Sequence, residues 1–93
     1  MAVEVKVTAT LQKLVGGQRS VLAEGSTIRE LLEDLDRKHP GIKDMVMVDG
    51  EIHRFVNIYL NDEDVRFLDK LDTRLQDGDV VSILPALAGG RGA

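Results

Sequence analysis

Ninety-three residues of which 43% are hydrophobic are enough for one small domain with a modest core; aromatics are only 3%, so that core must be built from Val, Leu and Ile. The absence of cysteine excludes disulfides, thiolate metal sites, iron–sulfur clusters and a cysteine nucleophile together. A net charge of −4 disfavours non-specific binding to phosphate backbones, and no apolar run approaches the roughly 18 residues of a membrane span, so a soluble cytoplasmic domain without nucleic-acid or membrane partners is expected.

Val3, Val5, Val7 and Ala9 alternate with Glu4, Lys6 and Thr8, the period of a half-buried strand. Gly16-Gly17 marks a hairpin turn, and Gln18 to Ala23 reads as the returning strand. Thr27 and Glu30 have capping-box spacing, and Ile28, Leu31, Leu32 and Leu35 form an apolar stripe at i, i+3, i+4 and i+7, which predicts a helix over about Thr27 to Lys38. His39-Pro40-Gly41 stops it, because the residue before proline is pushed out of the helical region. The pattern from Ile42 to Gly50 is mixed and fits either a short helical turn or a covered loop, with Asp49-Gly50 as a turn. Phe55 to Leu60 predicts a third strand, Asn61-Asp62-Glu63 a tight reversal, Asp64 to Phe67 a short fourth strand, and Asp77-Gly78 a turn into a last strand, Val80 to Leu84.

Several short period-two runs around one helical stripe predict an α+β fold with a mixed sheet and one principal helix, the first and last strands lying centrally. That is the β-grasp arrangement of ubiquitin-like proteins, and the order alone also permits other α+β layouts. Leu31, Leu32, Leu35, Val5, Val7, Ile58 and Ile83 are the expected core, and Phe55, Tyr59 and Phe67 are read as core aromatics. Phe55 and Tyr59 share parity; either of them left partly exposed would make a partner hot spot. The expected division is a β-grasp domain over residues 1–87 and a flexible tail over residues 88–93.

The tail, Ala88-Gly89-Gly90-Arg91-Gly92-Ala93, offers little to pack. A Gly-Gly pair loses the most backbone entropy on ordering and buries no side chain. A thin arm of this kind suits delivery of a terminal carboxylate into another protein's active site; a frayed end is the plain alternative.

The turn-strand Leu75-Gln76-Asp77-Gly78-Asp79-Val80-Val81, the strand ending in Pro85 and the near-terminal Gly89-Gly90 together resemble the MoaD and ThiS sulfur-carrier family. The segment His53-Arg54-Phe55-Val56-Asn57-Ile58-Tyr59-Leu60-Asn61-Asp62-Glu63-Asp64-Val65-Arg66 resembles the CysO branch of that family, associated with cysteine biosynthesis. The resemblance implies a carrier, not an enzyme, with no catalytic residue and no cofactor of its own. Gly90 would be adenylated at the expense of ATP held by an activating adenylyltransferase/sulfurtransferase, then converted to a thiocarboxylate. The implied acceptor is a pyridoxal-phosphate cysteine synthase whose bound aminoacrylate the thiocarboxylate attacks, and a JAMM-type metalloprotease would release the amino acid. Carriers of the family end at the second glycine, whereas this chain continues with Arg91-Gly92-Ala93; either a protease trims those residues before use or they are not native to the protein, and both options leave Gly90 as the expected working terminus.

Glycine at positions 89 and 90 removes side-chain bulk from a segment that must thread a slot, and Pro85 ends strand pairing at its base. Phe55, Tyr59 and Pro85 are the candidate partner interface. Asp62, Glu63 and Asp64 read either as a solvated turn that blunts an edge strand or as a docking patch for a basic partner. His39 and His53 have no cysteine and no spaced partner histidine, so no metal site is expected. Two other function classes stay open at this point: a ubiquitin-like modifier joined to lysine through Gly90, and a plain β-grasp interaction domain. Within the carrier class, molybdopterin, thiamine or thioacid products remain alternatives to cysteine.

Overall fold

The computed structural model describes residues 2–8 and 10–85; Met1, Ala9 and residues 86–93 lie outside the described residues. Strand β1 (Ala2–Val7) is followed by a short helix α1 (Thr10–Leu14), strand β2 (Ser20–Glu24) and the principal helix α2 (Ile28–Lys38). Then come α3 (Ile42–Val46), a two-residue hairpin β3 (Met47–Val48) and β4 (Glu51–Ile52), and strands β5 (Val56–Leu60) and β6 (Glu63–Asp64). Two 3-10 turns, Val65–Phe67 and Lys70–Asp72, precede the last strand, β7 (Val80–Pro85). The main sheet has the order β2-β1-β7-β5-β6, with β7 parallel to β1 and antiparallel to β5. This is the β-grasp arrangement, and the central placement of the first and last strands agrees with expectation.

Alternation settles which side of the sheet is covered. Val3, Val5, Val7, Ala23, Val56, Ile58, Val81 and Ile83 point one way and are buried against Ile28, Leu31, Leu32 and Leu35 of α2. All seven core residues expected from the sequence are essentially inaccessible. Leu11 and Val15 close the core beside α1, and Ile42 and Val46 beside α3.

Helix α2 starts as its capping residues dictate. Thr27 Oγ1 accepts the Glu30 N–H at 3.2 Å, while the Glu30 carboxylate reaches back to Ser26, accepting from its N–H at 2.9 Å and its hydroxyl at 2.7 Å. Those bonds, the backbone one first, hold the Glu30 carboxyl below its ordinary range. The Ile28 N–H, an orphan donor of the first turn, goes to the Thr73 carbonyl at 3.1 Å. Gly25 lets α2 lie this close to β2: a Cβ there would sit 2.6 Å from the Leu31 nitrogen.

Three local expectations need correction, and one open alternative is decided. The link between the first two strands is not a bare glycine hairpin, because residues 10–14 turn once into α1 and bury Leu11; Gly16 and Gly17, with φ of 71° and 81°, then reverse the chain. The Ile42 to Gly50 region takes the helical-turn alternative, and the expected Asp49-Gly50 turn, at φ 55° and 78°, closes a small hairpin of its own. Only Glu63 and Asp64 pair as strand after the reversal; Asp64 Oδ1 accepts the Arg66 N–H at 2.8 Å and winds Val65–Phe67 into a 3-10 turn instead. Finally, the aromatics are not core: Phe67 is 84% and Phe55 51% exposed, and Tyr59 is half-buried. The aliphatic residues fill the interior without them.

Candidate functional site

The register of β7 decides where the chain leaves the fold. Val81 and Ile83 face the core between β1 and β5, and the pairing continues through Asn57 with Leu84 to Val56 with Pro85. The last described residue therefore sits in the middle of the sheet's end, next to the first residue of β5. Phe55 immediately precedes Val56, in a turn rather than within the strand, so an exposed aromatic stands beside the exit of the C-terminal segment. Tyr59 lies four residues along β5, on the outer face, paired with Ser82 on one side and Asp64 on the other. The structure thus brings Phe55 and the backbone of Pro85 together at one end of the sheet, with Tyr59 further along the same strand. Gly89 and Gly90 lie outside the described residues.

The turn that carries Phe55 is held by several bonds. The Phe55 N–H donates to His53 Nδ1 at 3.0 Å, the Val56 N–H to the His53 carbonyl at 2.9 Å, and the His53 N–H to the Val46 carbonyl at 2.7 Å. Arg66 grips the same turn from the 3-10 segment, donating to the His53 carbonyl and to Asn57 Oδ1, both at 3.0 Å. On the solvent side, the Arg54 guanidinium carbon lies 5.1 Å from the Phe55 ring centroid and the His53 ring 5.6 Å from it. These are cation–π and tilted-ring contacts that leave about half of Phe55 open. Val48, 47% exposed, lines a shallow depression with Ile52, His53, Arg54 and Phe55, and the exposed Asp49 and Glu51 line it too, so the surface beside Phe55 mixes apolar side chains with charges of both signs.

The acidic reversal is a structural turn. Asn61 and Asp62 adopt φ of 49° and 74°, the two-residue hairpin geometry that asparagine and aspartate tolerate. Asp64 caps the 3-10 turn, while Asp62 and Glu63 are exposed. The Asp77-Gly78-Asp79 motif is structural as well. Asp77 Oδ1 accepts the Ala2 N–H at 3.1 Å, and Asp79 Oδ2 accepts the Gln76 N–H at 2.8 Å. Asp79 Oδ1 accepts from Asn61 Nδ2 at 3.1 Å, and Gly78 turns at φ 89°. The motif seats β7 between β1 and β5 and so aims the segment that follows. Arg66, Asn57 and Asn61 were not singled out from the sequence; their side-chain partners lie 9 to 19 residues away, and only the fold brings them together. No described helix is long and apolar enough to cross a membrane.

Residues 5–90 match the model of the ThiS family, a span that includes Gly89 and Gly90. The sulfur carrier protein CysO of Mycobacterium tuberculosis is 48% identical over 93 residues, covering 97% of this chain and all of that protein. A chain in the crystal structure of the Amycolatopsis orientalis BexX/CysO complex superposes with a TM-score of 0.90 at 44% identity, over 95% of this chain and 99% of that one. Small archaeal modifier protein 3 of Haloferax volcanii is 34% identical, with 97% of this chain and all of the relative covered.

Proposed function

The chain belongs to the ThiS family of sulfur carriers, and from that premise we propose that its working group is the carboxylate of Gly90, exposed once Arg91-Gly92-Ala93 are removed. It is a carrier and not an enzyme, so the chemistry divides between its own geometry and its partners' active sites.

A carboxylate is a poor electrophile. An activating adenylyltransferase joins the Gly90 carboxylate to the α-phosphorus of ATP and releases pyrophosphate. A sulfur donor then attacks the carbonyl carbon and AMP leaves, giving a thiocarboxylate. The carrier contributes reach and orientation. Five residues, Ala86 to Gly90, follow Pro85 in the trimmed chain, and at about 3.5 Å per extended residue the carboxylate lies within roughly 17 Å of the sheet end. Any enzyme that holds Gly90 in its catalytic slot must therefore also lie against the end of the sheet. Exposed Phe55, with Val48 and Arg54 around it, occupies that position, and it supports the interface reading more directly than any other feature. Tyr59 and the backbone at Pro85 complete the contact surface.

Resemblance to the mycobacterial sulfur carrier supports cysteine biosynthesis as the destination, with a pyridoxal-phosphate cysteine synthase as acceptor and a JAMM-type metalloprotease as the releasing enzyme. The similarity to a carrier seen in complex with BexX supports docking onto a partner protein by the same fold. A second reading, conjugation of Gly90 to lysine on target proteins, draws on the 34% identity to an archaeal modifier. Intact mass separates the two. Incubated with ATP, a sulfur source and the activating enzyme, protein ending at Gly90 should gain the difference between one sulfur and one oxygen atom. A ladder of heavier lysine conjugates without that gain would favour the modifier reading.

A further inference from the structure

The free edge of β2 is not left bare. In the β1–β2 pair, Val3 lies opposite Ala23 and Val5 opposite Val21, and the bond from the Val7 N–H to the Arg19 carbonyl places those pairs on the hydrogen-bonded repeat. The backbone groups of Ser20, Leu22 and Glu24 therefore point away from β1. Side chains of α2 take two of them. The Glu24 N–H donates to Asp34 Oδ2 at 2.9 Å; Lys38 Nζ, 3.0 Å from that same oxygen, reaches the Leu22 carbonyl over a longer 3.5 Å. Arg37 holds the other Asp34 oxygen at 2.7 Å. One turn of helix, from Asp34 to Lys38, spans about the same distance as two residues of strand, so the two side chains meet alternate outward groups.

We propose that Asp34 and Lys38 form an edge guard that closes β2 to strand addition, and that the occupant they exclude is a second copy of this chain. An unguarded edge of five residues is a template for pairing. This one is self-complementary: antiparallel pairing about Leu22 sets Leu22 against its counterpart, Ser20 against Glu24 and Val21 against Ala23, with no like charges opposed. Leu22 is 65% exposed, so pairing would bring two open leucines side by side in an isologous contact. The opposite edge, β6, is only two residues long and offers no comparable template.

Sedimentation over a wide concentration range tests this. The unmodified protein is expected to stay monomeric. Asp34→Ala/Lys38→Ala should shift from monomer to dimer as concentration rises, and adding Leu22→Lys should return it to monomer by placing like charges face to face. Lys38→Met removes the ammonium from a partly exposed side chain without adding a charge beside Asp34; it should self-associate too, which decides the matter if the double variant fails to fold. In unmodified protein the Glu24 amide should exchange with solvent about tenfold more slowly than the Leu22 amide, as a charge-assisted bond implies. Folded variants that stay monomeric, a dimer that survives Leu22→Lys, or equal exchange at Glu24 and Leu22 would each overturn the guard.

Discussion

Asn61 Nδ2 donates to Asp79 Oδ1 over 3.1 Å, and Asn61 Oδ1 in turn accepts the Val80 N–H at 3.0 Å. One side chain thereby ties the β5–β6 reversal to the turn that starts β7, across 18 residues of sequence. Asn61 also carries the reversal at φ 49°, a conformation asparagine tolerates better than most residues. Asn61→Ala should lose both bonds and strain the turn, costing about 2–3 kcal/mol. Asn61→Gly relieves the strain but not the lost bonds and should cost about 1–2 kcal/mol. Urea midpoints at unchanged slope measure the difference; equal costs for the two variants would remove the conformational part of the account.

Gly25→Ala should be more damaging than its one added methyl suggests. The new Cβ would meet the backbone of α2, with the Leu31 nitrogen at 2.6 Å and the Glu30 carbonyl carbon at 2.9 Å, and backbone cannot swing aside as a side chain can. Shifting the helix off the sheet should cost about 1–3 kcal/mol. Leu32→Ala, a cavity at a fully buried position of the same helix, should cost about 2–5 kcal/mol. Thermal or urea unfolding checks both, and a Gly25→Ala protein as stable as the parent would show that α2 does not bear on β2 as closely as described.

Stability should fall in acid through Asp34. Its carboxyl is held well below the ordinary value of 3.8, first by the hydrogen bond from Arg37, then by the Glu24 N–H and by Lys38. A lowered value means that the folded state favours the carboxylate, so the contribution is complete above the unfolded value and is lost as pH drops below it. Between pH 7 and 5 this group should change nothing. Below about 4 the unmodified protein should lose stability more steeply than Asp34→Asn. Parallel acid profiles for the two would exclude Asp34 as the source.

The elements that could be read from the sequence are those with a strong local period. The Ile28 to Leu35 stripe marked α2 and its buried face, and the alternation from Val3 to Val7 marked β1. Central placement of β7 followed from the fold class. Helix α1 was hidden because five residues make too short a window for a period to stand out: Leu11, Leu14 and Val15 fall at i, i+3 and i+4, but only one helical repeat is present before the Gly16-Gly17 turn. The Phe55 and Phe67 positions were misjudged because size and hydrophobicity predict burial on average, whereas an interior already filled by aliphatic side chains leaves no room for them. At the candidate site, Gly89-Gly90 and the Asp77-Gly78-Asp79 turn were visible as contiguous motifs. Arg66 was not, because its acceptors at His53 and Asn57 are set by a 3-10 turn that the pattern had suggested was strand.

Phe55→Ala should separate folding from docking. The ring is half exposed and packs chiefly against Arg54 and His53, so its loss should change stability by no more than about 0.5 kcal/mol. If it anchors the activating enzyme, KM for the carrier should rise about tenfold or more with kcat little changed, the signature of lost uniform binding. Arg66→Ala should give a smaller rise in KM, because it frees the His53 to Asn57 turn without removing the ring. Charge reversal at Asp62 and Glu63 provides the contrast: unchanged kinetics at low and high salt would leave these two as solvated turn residues.

The position of the working carboxylate gives the last prediction. With about 17 Å of reach from Pro85, a slot that accepts Gly90 would have to find room for three further residues, roughly 10 Å of chain including the Arg91 side chain, to accept a carboxylate at Ala93. Protein ending at Ala93 should therefore resist adenylation, and protein ending at Gly90 should be adenylated and take up sulfur. Replacing Gly90 by Trp in the shorter form should abolish the gain in mass while leaving the unfolding midpoint unchanged, since among the described residues the core runs from Val3 to Ile83, well before position 90. Intact mass spectrometry with the matching activating enzyme reads all three proteins in one experiment. Equal thiolation of the Ala93 and Gly90 forms would show that no trimming is needed. Sulfur uptake by the Gly90→Trp protein would show that the slot does not demand a thin chain, and the argument from Gly89 and Gly90 would fail with it.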